Sequence, residues 1–214
     1  MDRDPYRRIA KWYDRVLEPM NAPLRAIAMK MLPSATGMAV LDVGCGTGSF
    51  LTDFADAGCR AFGLDASPAM LEQAGRRLEG RADLCLGDAT RLPYDRGSFD
   101  LIVAATVLHE LDEAIRIAVL DEMTRTLKPD GRVLVIDFRA GRLKAKGLLT
   151  RSLSLVAEVV AGRTHFRNFR SFMAIGGLPA LLEFSDLTID RERKVAGGNV
   201  GLYLLRSSDA AGNP

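Results

Sequence analysis

The sequence predicts an α/β fold, a doubly wound and mostly parallel sheet that is completed by an antiparallel hairpin. Between residues 39 and 138 of the 214-residue chain, short β-rich runs alternate with longer stretches of helical periodicity. Near the end of the chain, two further β-patterned runs, Leu187–Val195 and 199–206, are joined only by Ala196-Gly-Gly198. So short a turn permits only antiparallel neighbours.

Five strands and three helices are expected before the hairpin. The fourth strand is apolar almost throughout, which is typical of a strand buried on both faces of a sheet. Ser67, followed by Pro68, and Asp112 are expected to cap helices at their N-termini, and Lys128-Pro-Asp-Gly131 is expected to form a turn. The predicted strands are 39–43, 59–64, 83–86, 99–104 and 132–138, and the predicted helices are 49–57, 68–78 and 112–127.

Composition and charge exclude several classes of protein. The 29 basic and 27 acidic residues give a net charge of +2, whereas a dedicated nucleic-acid binder normally carries a clear basic excess. Three widely spaced cysteines match neither a disulfide framework nor a zinc motif, so we expect no metal and a cytoplasmic location. The longest apolar run, 101–108, is too short to cross a membrane, and the chain opens without the apolar segment of a signal peptide.

A glycine-rich loop follows the first predicted strand, at the edge where an open parallel sheet binds its ligand. Gly44, Gly46 and Gly48 alternate with other residues, among them Cys45, and let the backbone approach a ligand closely. A plain strand-to-helix turn is the alternative. A dinucleotide motif would need glycine at position 49, which is serine, and Asp42 before the loop would repel a phosphate. These two residues argue against a nicotinamide oxidoreductase.

Three acidic residues stand at successive strand ends on the same rim of the predicted sheet. Asp42 suits a cationic amino group, and Asp65 is placed to accept hydrogen bonds from both hydroxyls of a ribose. Asp88 suits an exocyclic amine such as that of adenine, with a solvated strand end as an equal alternative. A ligand with an amine, a ribose and an amino-purine, but no phosphate, is S-adenosylmethionine.

The motifs around these residues resemble those of class I S-adenosylmethionine-dependent methyltransferases. They occur in the order and spacing of that family across residues 38–138. Within the family, the chain is most similar to the ubiquinone/menaquinone-biosynthesis-like branch and to its relatives that act on phospholipid amines. The motifs are Val40-Leu-Asp-Val-Gly-Cys-Gly-Thr-Gly48, Gly63-Leu-Asp-Ala-Ser67, Gly87-Asp-Ala89 with Leu92-Pro93, Ser98-Phe-Asp100 and Leu127-Lys-Pro-Asp-Gly131.

The resemblance implies a Rossmann-like sheet of seven strands with the final hairpin inserted at one edge. It also implies a methyltransferase that uses S-adenosylmethionine and releases S-adenosylhomocysteine. By the same resemblance, Asp42 and Gly44 lie at the amino acid end of the cofactor, Asp65 at the ribose and Asp88 at the adenine amino group.

Further cofactor contacts follow from the resemblance alone. Ala66 and Met70 would line the adenine, Ala89 would donate a backbone hydrogen bond, and Ala105 would approach the methionine moiety. Tyr13, together with Asp14, resembles a pair that folds over the cofactor in this branch. A helix that simply packs its aromatic side chains on the core is an equal alternative for Tyr13.

The two histidines of the chain are the candidates for a catalytic base. A sulfonium already carries an activated methyl group, so a base is needed only when the acceptor must lose a proton. His109 follows the fourth predicted strand on the cofactor side, and its alternative role is to orient the loop or cap the next helix. His165 lies among the elements predicted to face the substrate.

Residues 139–170 hold eight basic residues and one acidic residue, with apolar residues at helical spacing. Such a segment binds an anionic membrane surface at the periphery or covers a lipophilic substrate, and a lid helix docked on the core is the alternative. The segment lacks the pattern expected for methylating a quinone ring. We expect a lipophilic or anionic small-molecule acceptor, quinone-like or a phospholipid amine, and no nucleic-acid partner. A non-catalytic cofactor-binding partner protein is the alternative.

The chain is expected to form a single domain with four parts. Residues 1–36 would be an N-terminal helical cover, and residues 37–138 the cofactor-binding core. Residues 139–178 would be the basic cover on the substrate side, and residues 179–206 the final helix and the hairpin.

Overall fold

The computed structural model describes residues 4, 6–7, 10–32, 36–144, 147–148, 150–152, 155 and 162–208. About a third of the basic segment predicted over 139–170, 11 of its 32 residues, therefore lies outside the described residues. In the described part, the helices are α1 (Ala10–Met29), α2 (Ser49–Asp56), α3 (Pro68–Leu78), α4 (Glu113–Thr126), α5 (Arg163–Ile175) and α6 (Leu178–Leu182). The strands are β1 (Ala39–Val43), β2 (Arg60–Asp65), β3 (Ala82–Leu86), β4 (Phe99–Ala105), β5 (Leu127–Phe138), β6 (Leu187–Val195) and β7 (Val200–Ser207).

The seven strands form one mixed sheet in the order β3-β2-β1-β4-β5-β7-β6. The pairs among β1 to β5 are parallel, whereas β7 pairs antiparallel with both β5 and β6. This arrangement confirms the predicted doubly wound sheet and its antiparallel hairpin at one edge. The strand order reverses beside β1, and the carboxyl ends of β1 and β4 meet there, which is where such sheets bind ligands.

Both faces of the sheet are buried, as the apolar sequence of β4 predicts. Ile102 packs in a cluster with Leu120 and Phe172, which come from α4 and α5. The next residue, Val103, faces the opposite cluster, where Phe50 and Phe54 of α2 stack with their ring centroids 4.9 Å apart. Successive side chains of a strand point to opposite faces, so one apolar strand supplies both cores.

Two helix starts are formed as the sequence predicts. The Ser67 hydroxyl accepts a hydrogen bond from the Met70 N–H at 3.1 Å, and Pro68 occupies the first turn of α3. The Asp112 carboxylate accepts from the Ala114 N–H at 3.2 Å at the start of α4. Each bond satisfies a backbone donor that the helix itself leaves free.

The predicted turn at Lys128-Pro-Asp-Gly131 is wrong, because these residues belong to β5. Leu127 pairs with Phe99, and the register then shifts before Leu101 pairs with Arg132. The Lys128 ammonium lies 2.7 Å from the Asp100 carboxylate and fastens this irregular stretch to β4. The pairing partner, and not the local turn chemistry, thus decides where β5 begins.

In the described residues, no helix combines the length and the apolar character that crossing a bilayer requires.

Candidate active site

The glycine-rich loop folds back over the end of β2. The N–H groups of Gly44 and Cys45 both donate to the Leu64 carbonyl, at 2.7 and 3.1 Å, and the Gly46 N–H donates to Oδ2 of Asp65 at 2.8 Å. These amides therefore bind the protein itself. The loop thereby fastens the end of β1 to the end of β2. We call this fastened part, residues 44–46 with the two strand ends, the floor of the site.

Gly44 is needed both for its backbone conformation and for the space around it. Its φ of +72° lies in the left-handed region that favours glycine, and a Cβ at this position would come within 2.6 Å of a Val107 methyl group. Val107 belongs to the segment that follows β4. Gly44 thus lets the glycine loop and the β4–α4 connection approach each other.

Asp42 is a buried carboxylate beside this loop, and its Oδ1 has no hydrogen-bond partner. Burial, together with the nearby charge of Asp65, raises the pKa of Asp42 to about 8, while Arg25 opposes the shift. An unpartnered buried acceptor is costly, so such an atom in a native protein calls for an explanation. A cationic ligand group would supply the missing partner.

Asp42 lines a cleft that is closed on one side by α1 and on the other by the segment after β4. Six of the predicted cofactor residues line it: Tyr13, Asp42, Gly44, Cys45, Gly46 and Ala105. The other six predicted residues do not line this cleft: Gly48 at the start of α2, Asp65 at the end of β2, Ala66 just before α3 and Met70 in its first turn, and Asp88 and Ala89 after β3. The structure therefore brings together the predicted amino acid end of the site, with the predicted ribose and adenine residues farther along the rim.

The Asp65 carboxylate is held by backbone donors on both sides. Gly46 donates to Oδ2 and Ser67 to Oδ1, each at 2.8 Å. Burial raises the pKa of Asp65, and these two hydrogen bonds counteract the increase. The side chain is thus fixed at the end of β2, with lone pairs left to accept from further hydroxyl groups.

The predicted adenine residues differ in exposure. Asp88 is exposed, and its Oδ1 accepts from the Thr90 N–H at 2.8 Å. Ala66 is exposed as well, whereas Met70 is on the buried face of α3 and Ala89 is half-buried. Gly48 closes the glycine loop as the N-cap of α2, packed against α3.

Helix α1 is fastened to the glycine loop by a network of polar contacts. The Thr47 hydroxyl donates to Asp14 at 2.5 Å, and Arg77 of α3 pairs with the same carboxylate. Arg25 bridges Glu18 of α1 and Asp53 of α2, at 2.6 and 2.8 Å. These contacts hold Tyr13 at the cleft.

His109 is buried in the protein core and bonded to β5. Its ring Nδ1 lies 2.7 Å from Oδ1 of Asp137, and its backbone N–H donates to Oδ2 of the same carboxylate. The ring packs edge-on against Phe138. Only 2% of the residue is exposed. These contacts support the alternative role, in which His109 orients the segment after β4, and the catalytic role stays a prediction.

We predict that His109→Gln lowers the free energy of unfolding by about 1–3 kcal/mol, because the buried Asp137 carboxylate loses its aligned partner. Affinity for S-adenosylhomocysteine should remain within a few-fold of the unmodified protein. Chemical denaturation and calorimetry measure the two quantities. An unchanged stability combined with abolished methyl transfer would instead favour the catalytic role.

Arg116 of α4 is completely buried and ties three elements together. It donates to the carbonyls of Leu108 and Asn168, at 3.1 and 2.7 Å, and its guanidinium lies over the Phe172 ring. Asn168 in turn donates to the Glu110 carbonyl at 2.7 Å. The segment after β4 and helix α5 are thereby held as one unit.

His165 lies on the first turns of α5, next to the N-terminal residues. Its ring meets the ring of Tyr6 edge-on with centroids 5.9 Å apart, and its Nδ1 is buried without a hydrogen-bond partner. His165 does not line the cleft that contains Asp42. Its catalytic role stays a prediction.

Four residues near the site are not among those predicted from the sequence. Thr106 lines the cleft with a φ of +59°, an uncommon value for threonine, and its N–H donates to the Ile136 carbonyl at 2.6 Å. Asp4, Tyr6 and Glu110 meet across the rim only through the tertiary fold. The position of Thr106 directly after a β4 strand end was the one available signal.

Comparisons with known proteins show that this chain is similar to methyltransferases. Residues 40–131 match the family model described as "Methyltransferase domain". Demethylmenaquinone methyltransferase of Beutenbergia cavernae is 33% identical over 150 residues, which cover 64% of this chain and 60% of that protein. The enzyme of the same name from Lactococcus lactis is 36% identical over 53% of this chain and 47% of its own length. The comparisons thus support the resemblance to the class I S-adenosylmethionine-dependent methyltransferases that the motifs indicate.

Solved structures of methyltransferases share the fold of this chain over most of its length. A chain from the complex that contains the Haloferax volcanii Trm112 methyltransferase activator covers 97% of this chain and 99% of its own, with a TM-score of 0.74 at 19% identity. A Burkholderia thailandensis 1,6-didemethyltoxoflavin-N1-methyltransferase with bound S-adenosylhomocysteine covers 86% of this chain and 76% of its own, with a TM-score of 0.61 at 21% identity. At these identities the likeness concerns the fold alone. This chain spans 60% of the length of the Beutenbergia cavernae enzyme and 47% of the length of the Lactococcus lactis enzyme.

Proposed function

We propose that this chain transfers the methyl group of S-adenosylmethionine to a quinone-like, lipophilic small molecule. The proposal has two parts, the cofactor and the acceptor. The cofactor part rests on Asp42, a buried carboxylate with an unpartnered oxygen in a cleft beside the glycine loop. The acceptor part is supported by the demethylmenaquinone methyltransferases to which the chain is similar.

The residues of the cleft fit the amino acid end of this cofactor. Asp42 would pair with its ammonium group, and Asp65, fixed by two backbone donors, would accept from its ribose hydroxyls. When bound, S-adenosylmethionine supplies a methyl group already activated by the sulfonium. The rigid floor of the loop and the segment after β4 would hold the two reactants in line, and alignment of this kind accounts for much of the rate of such reactions.

Part of the cleft lining suits an acceptor with an apolar ring. This part consists of Ala105 and Thr106 at the end of β4, Ile136 from β5 and Tyr13 from α1. Asp14 and Glu18 also line the cleft, so the cation of a phospholipid amine would find carboxylates and the aromatic face of Tyr13 there. The acceptor type is decided by comparing both substrates directly.

Calorimetry with S-adenosylhomocysteine tests the cofactor part, and we expect saturable binding. Transfer of a labelled methyl group from S-adenosylmethionine into reduced demethylmenaquinone, with phosphatidylethanolamine in parallel, tests the acceptor part. Binding without transfer to either lipid would favour the non-catalytic alternative. Absence of binding at millimolar concentration would overturn the proposal.

We also propose that the basic face of α5 contacts anionic membranes, from which a lipophilic acceptor would be drawn. Arg163, Arg167 and Arg170 line a shallow surface groove together with Phe166, and Arg170 lies over the Phe166 ring with a separation of 5.8 Å. Arg167 also pairs with Asp112 at 3.3 Å, both side chains being largely exposed. Clustered arginines around an aromatic side chain suit an anionic, partly apolar surface.

We predict that the protein cosediments with vesicles containing phosphatidylserine and is released as salt rises, because screening weakens the attraction. The double variant Arg163→Glu with Arg170→Glu should reduce this binding about tenfold or more at physiological salt, since each basic residue near the surface contributes about 1 kcal/mol. Arg76→Glu on α3 is a matched control on another exposed surface. Cosedimentation that is indifferent to lipid charge would contradict the prediction.

A further inference from the structure

Residues near the N-terminus reach across the rim of the candidate site. The Asp4 carboxylate accepts from the Ser67 hydroxyl, with both oxygens 2.9 Å from it, and from the Ala69 N–H at 3.2 Å. Ser67 and Ala69 belong to the N-terminus of α3, directly after the predicted ribose-binding Asp65. One end of this crossing is therefore anchored at the β2 side of the rim.

The other end is anchored at the segment after β4. The Tyr6 hydroxyl donates to Oε2 of Glu110 at 2.5 Å, and the two residues are 104 positions apart in sequence. The Tyr6 ring also meets the rings of Tyr13 and His165 edge-on, with centroids 6.2 and 5.9 Å away. Tyr6 thus touches three elements that surround the candidate site.

The two anchors hold opposite sides of the rim through a very short piece of chain. Asp4 and Tyr6 are two residues apart, so their backbone spans at most about 7 Å, and their side chains bridge the rest. Burial raises the pKa of Tyr6, with smaller contributions from Glu110, Tyr13 and Asp65. Tyr6 therefore lies within electrostatic reach of the predicted ribose carboxylate as well as of the cleft residue Tyr13.

We propose that Asp4 and Tyr6 are cofactor-retaining residues on a strap, anchored to Glu110, that opens to admit S-adenosylmethionine and then closes over it. The strap is defined here as Asp4, Tyr6 and Arg7. Both of its anchors are hydrogen bonds to a carboxylate, which are stronger than bonds between neutral groups. A ligand lying along the rim from Asp42 to Asp65 would pass beneath the strap. This inference rests on the proposed function, because the retained ligand is its cofactor.

Trypsin tests the closed strap without any ligand. Arg7 is exposed, but a protease must bind several residues in extended form, which the anchors of Asp4 and Tyr6 oppose. The rate of cleavage after Arg7 therefore follows the population of the open form when closing is fast. We expect Tyr6→Phe to accelerate this cleavage about tenfold, since a hydrogen bond to a carboxylate is lost. Glu110→Gln should accelerate it less, because the amide oxygen still accepts from Tyr6 but carries no charge. The two effects should not add in the double variant, because both changes act on the same bond.

Surface plasmon resonance with S-adenosylhomocysteine tests retention of the cofactor. Tyr6→Phe should raise the dissociation rate about tenfold while the association rate changes little. Tyr94→Phe is the matched control, because Tyr94 packs in the core against Phe99 and lies outside the strap. It should leave both cleavage after Arg7 and the dissociation rate unchanged.

Each result bears on one part of the inference. Faster cleavage with an unchanged dissociation rate would show a strap that closes without retaining the cofactor, and would overturn the inference. If the cleavage and dissociation rates of Tyr6→Phe and Glu110→Gln both stay within twofold of those of the unmodified protein, the closed strap itself is refuted. If the unmodified protein binds no S-adenosylhomocysteine, the proposed function fails and cofactor retention fails with it. The cleavage rates would still decide whether the strap closes.

Discussion

Replacement of Asp42 by asparagine should weaken S-adenosylhomocysteine binding about 100-fold or more. The carboxylate is buried, and we propose that it pairs with the ammonium group of the ligand. Truncating one partner of a buried charge pair costs about 2–5 kcal/mol, and each 1.4 kcal/mol is a factor of ten in affinity. Calorimetry at pH 7 measures the change directly.

The same substitution should stabilise the protein in the absence of ligand. The pKa of Asp42 is raised to about 8 in the folded protein, against about 4 in the unfolded chain. A group whose pKa is raised by folding gives its full stability below the unfolded pKa and loses it as pH rises through the folded pKa. The unmodified protein therefore loses stability between about pH 4 and pH 8, and asparagine removes this loss.

Thermal unfolding of the two proteins at several pH values measures this effect. The asparagine variant should have the higher Tm at pH 8, by about 2–4 °C for each kcal/mol in a protein of this size, and the difference should shrink toward pH 4. Ligand binding should also release a proton from the unmodified protein below pH 8, seen as a buffer-dependent binding enthalpy. An asparagine variant that binds normally would refute the pairing with Asp42.

Replacement of Gly44 by alanine should lower the free energy of unfolding by about 2–5 kcal/mol. The left-handed backbone costs a residue with a Cβ about 1–2 kcal/mol, and overpacking a filled site costs about 1–3 kcal/mol more. The added Cβ would stand 2.6 Å from a methyl group of Val107, whose β-branched side chain has few rotamers to escape into. Ligand affinity should fall as well, because the loop and the segment after β4 would separate.

Gly80→Ala is the matched control for the backbone cost alone. Gly80 has a φ of +82°, and nothing lies within 4 Å of a Cβ built there. Urea unfolding of both variants separates the two contributions. Equal losses of stability would mean that Val107 moves aside freely, and the close approach of the two segments would then not explain why position 44 is glycine.

The local signals of the chain were sufficient for most of the fold. Alternating strands and helices, two helix caps and a glycine turn predict the doubly wound sheet and its antiparallel hairpin, because each depends on residues close together in sequence. The start of β5 is different. Leu127 pairs with Phe99 across a shift in register, and no local pattern contains that pairing.

The candidate site divides in the same way. Asp42 and Gly44 can be found from sequence because a strand end and a glycine loop mark them. The unpartnered state of the Asp42 oxygen cannot, because it depends on everything packed around that atom. Tyr6 and Glu110 are also out of reach of the sequence, since a hydrogen bond between residues 104 positions apart has no local signature.

The buried Arg116 has a consequence for how the protein opens. Its guanidinium joins the Leu108 carbonyl to the Asn168 carbonyl, so separating α5 from the β4–α4 segment would deprive a buried cation of one of these acceptors. These two elements should therefore exchange their amide hydrogens with solvent as one cooperative unit. Motion on the acceptor side of the cleft would then be a collective displacement of helix and loop together, with the floor beneath the cofactor left at rest.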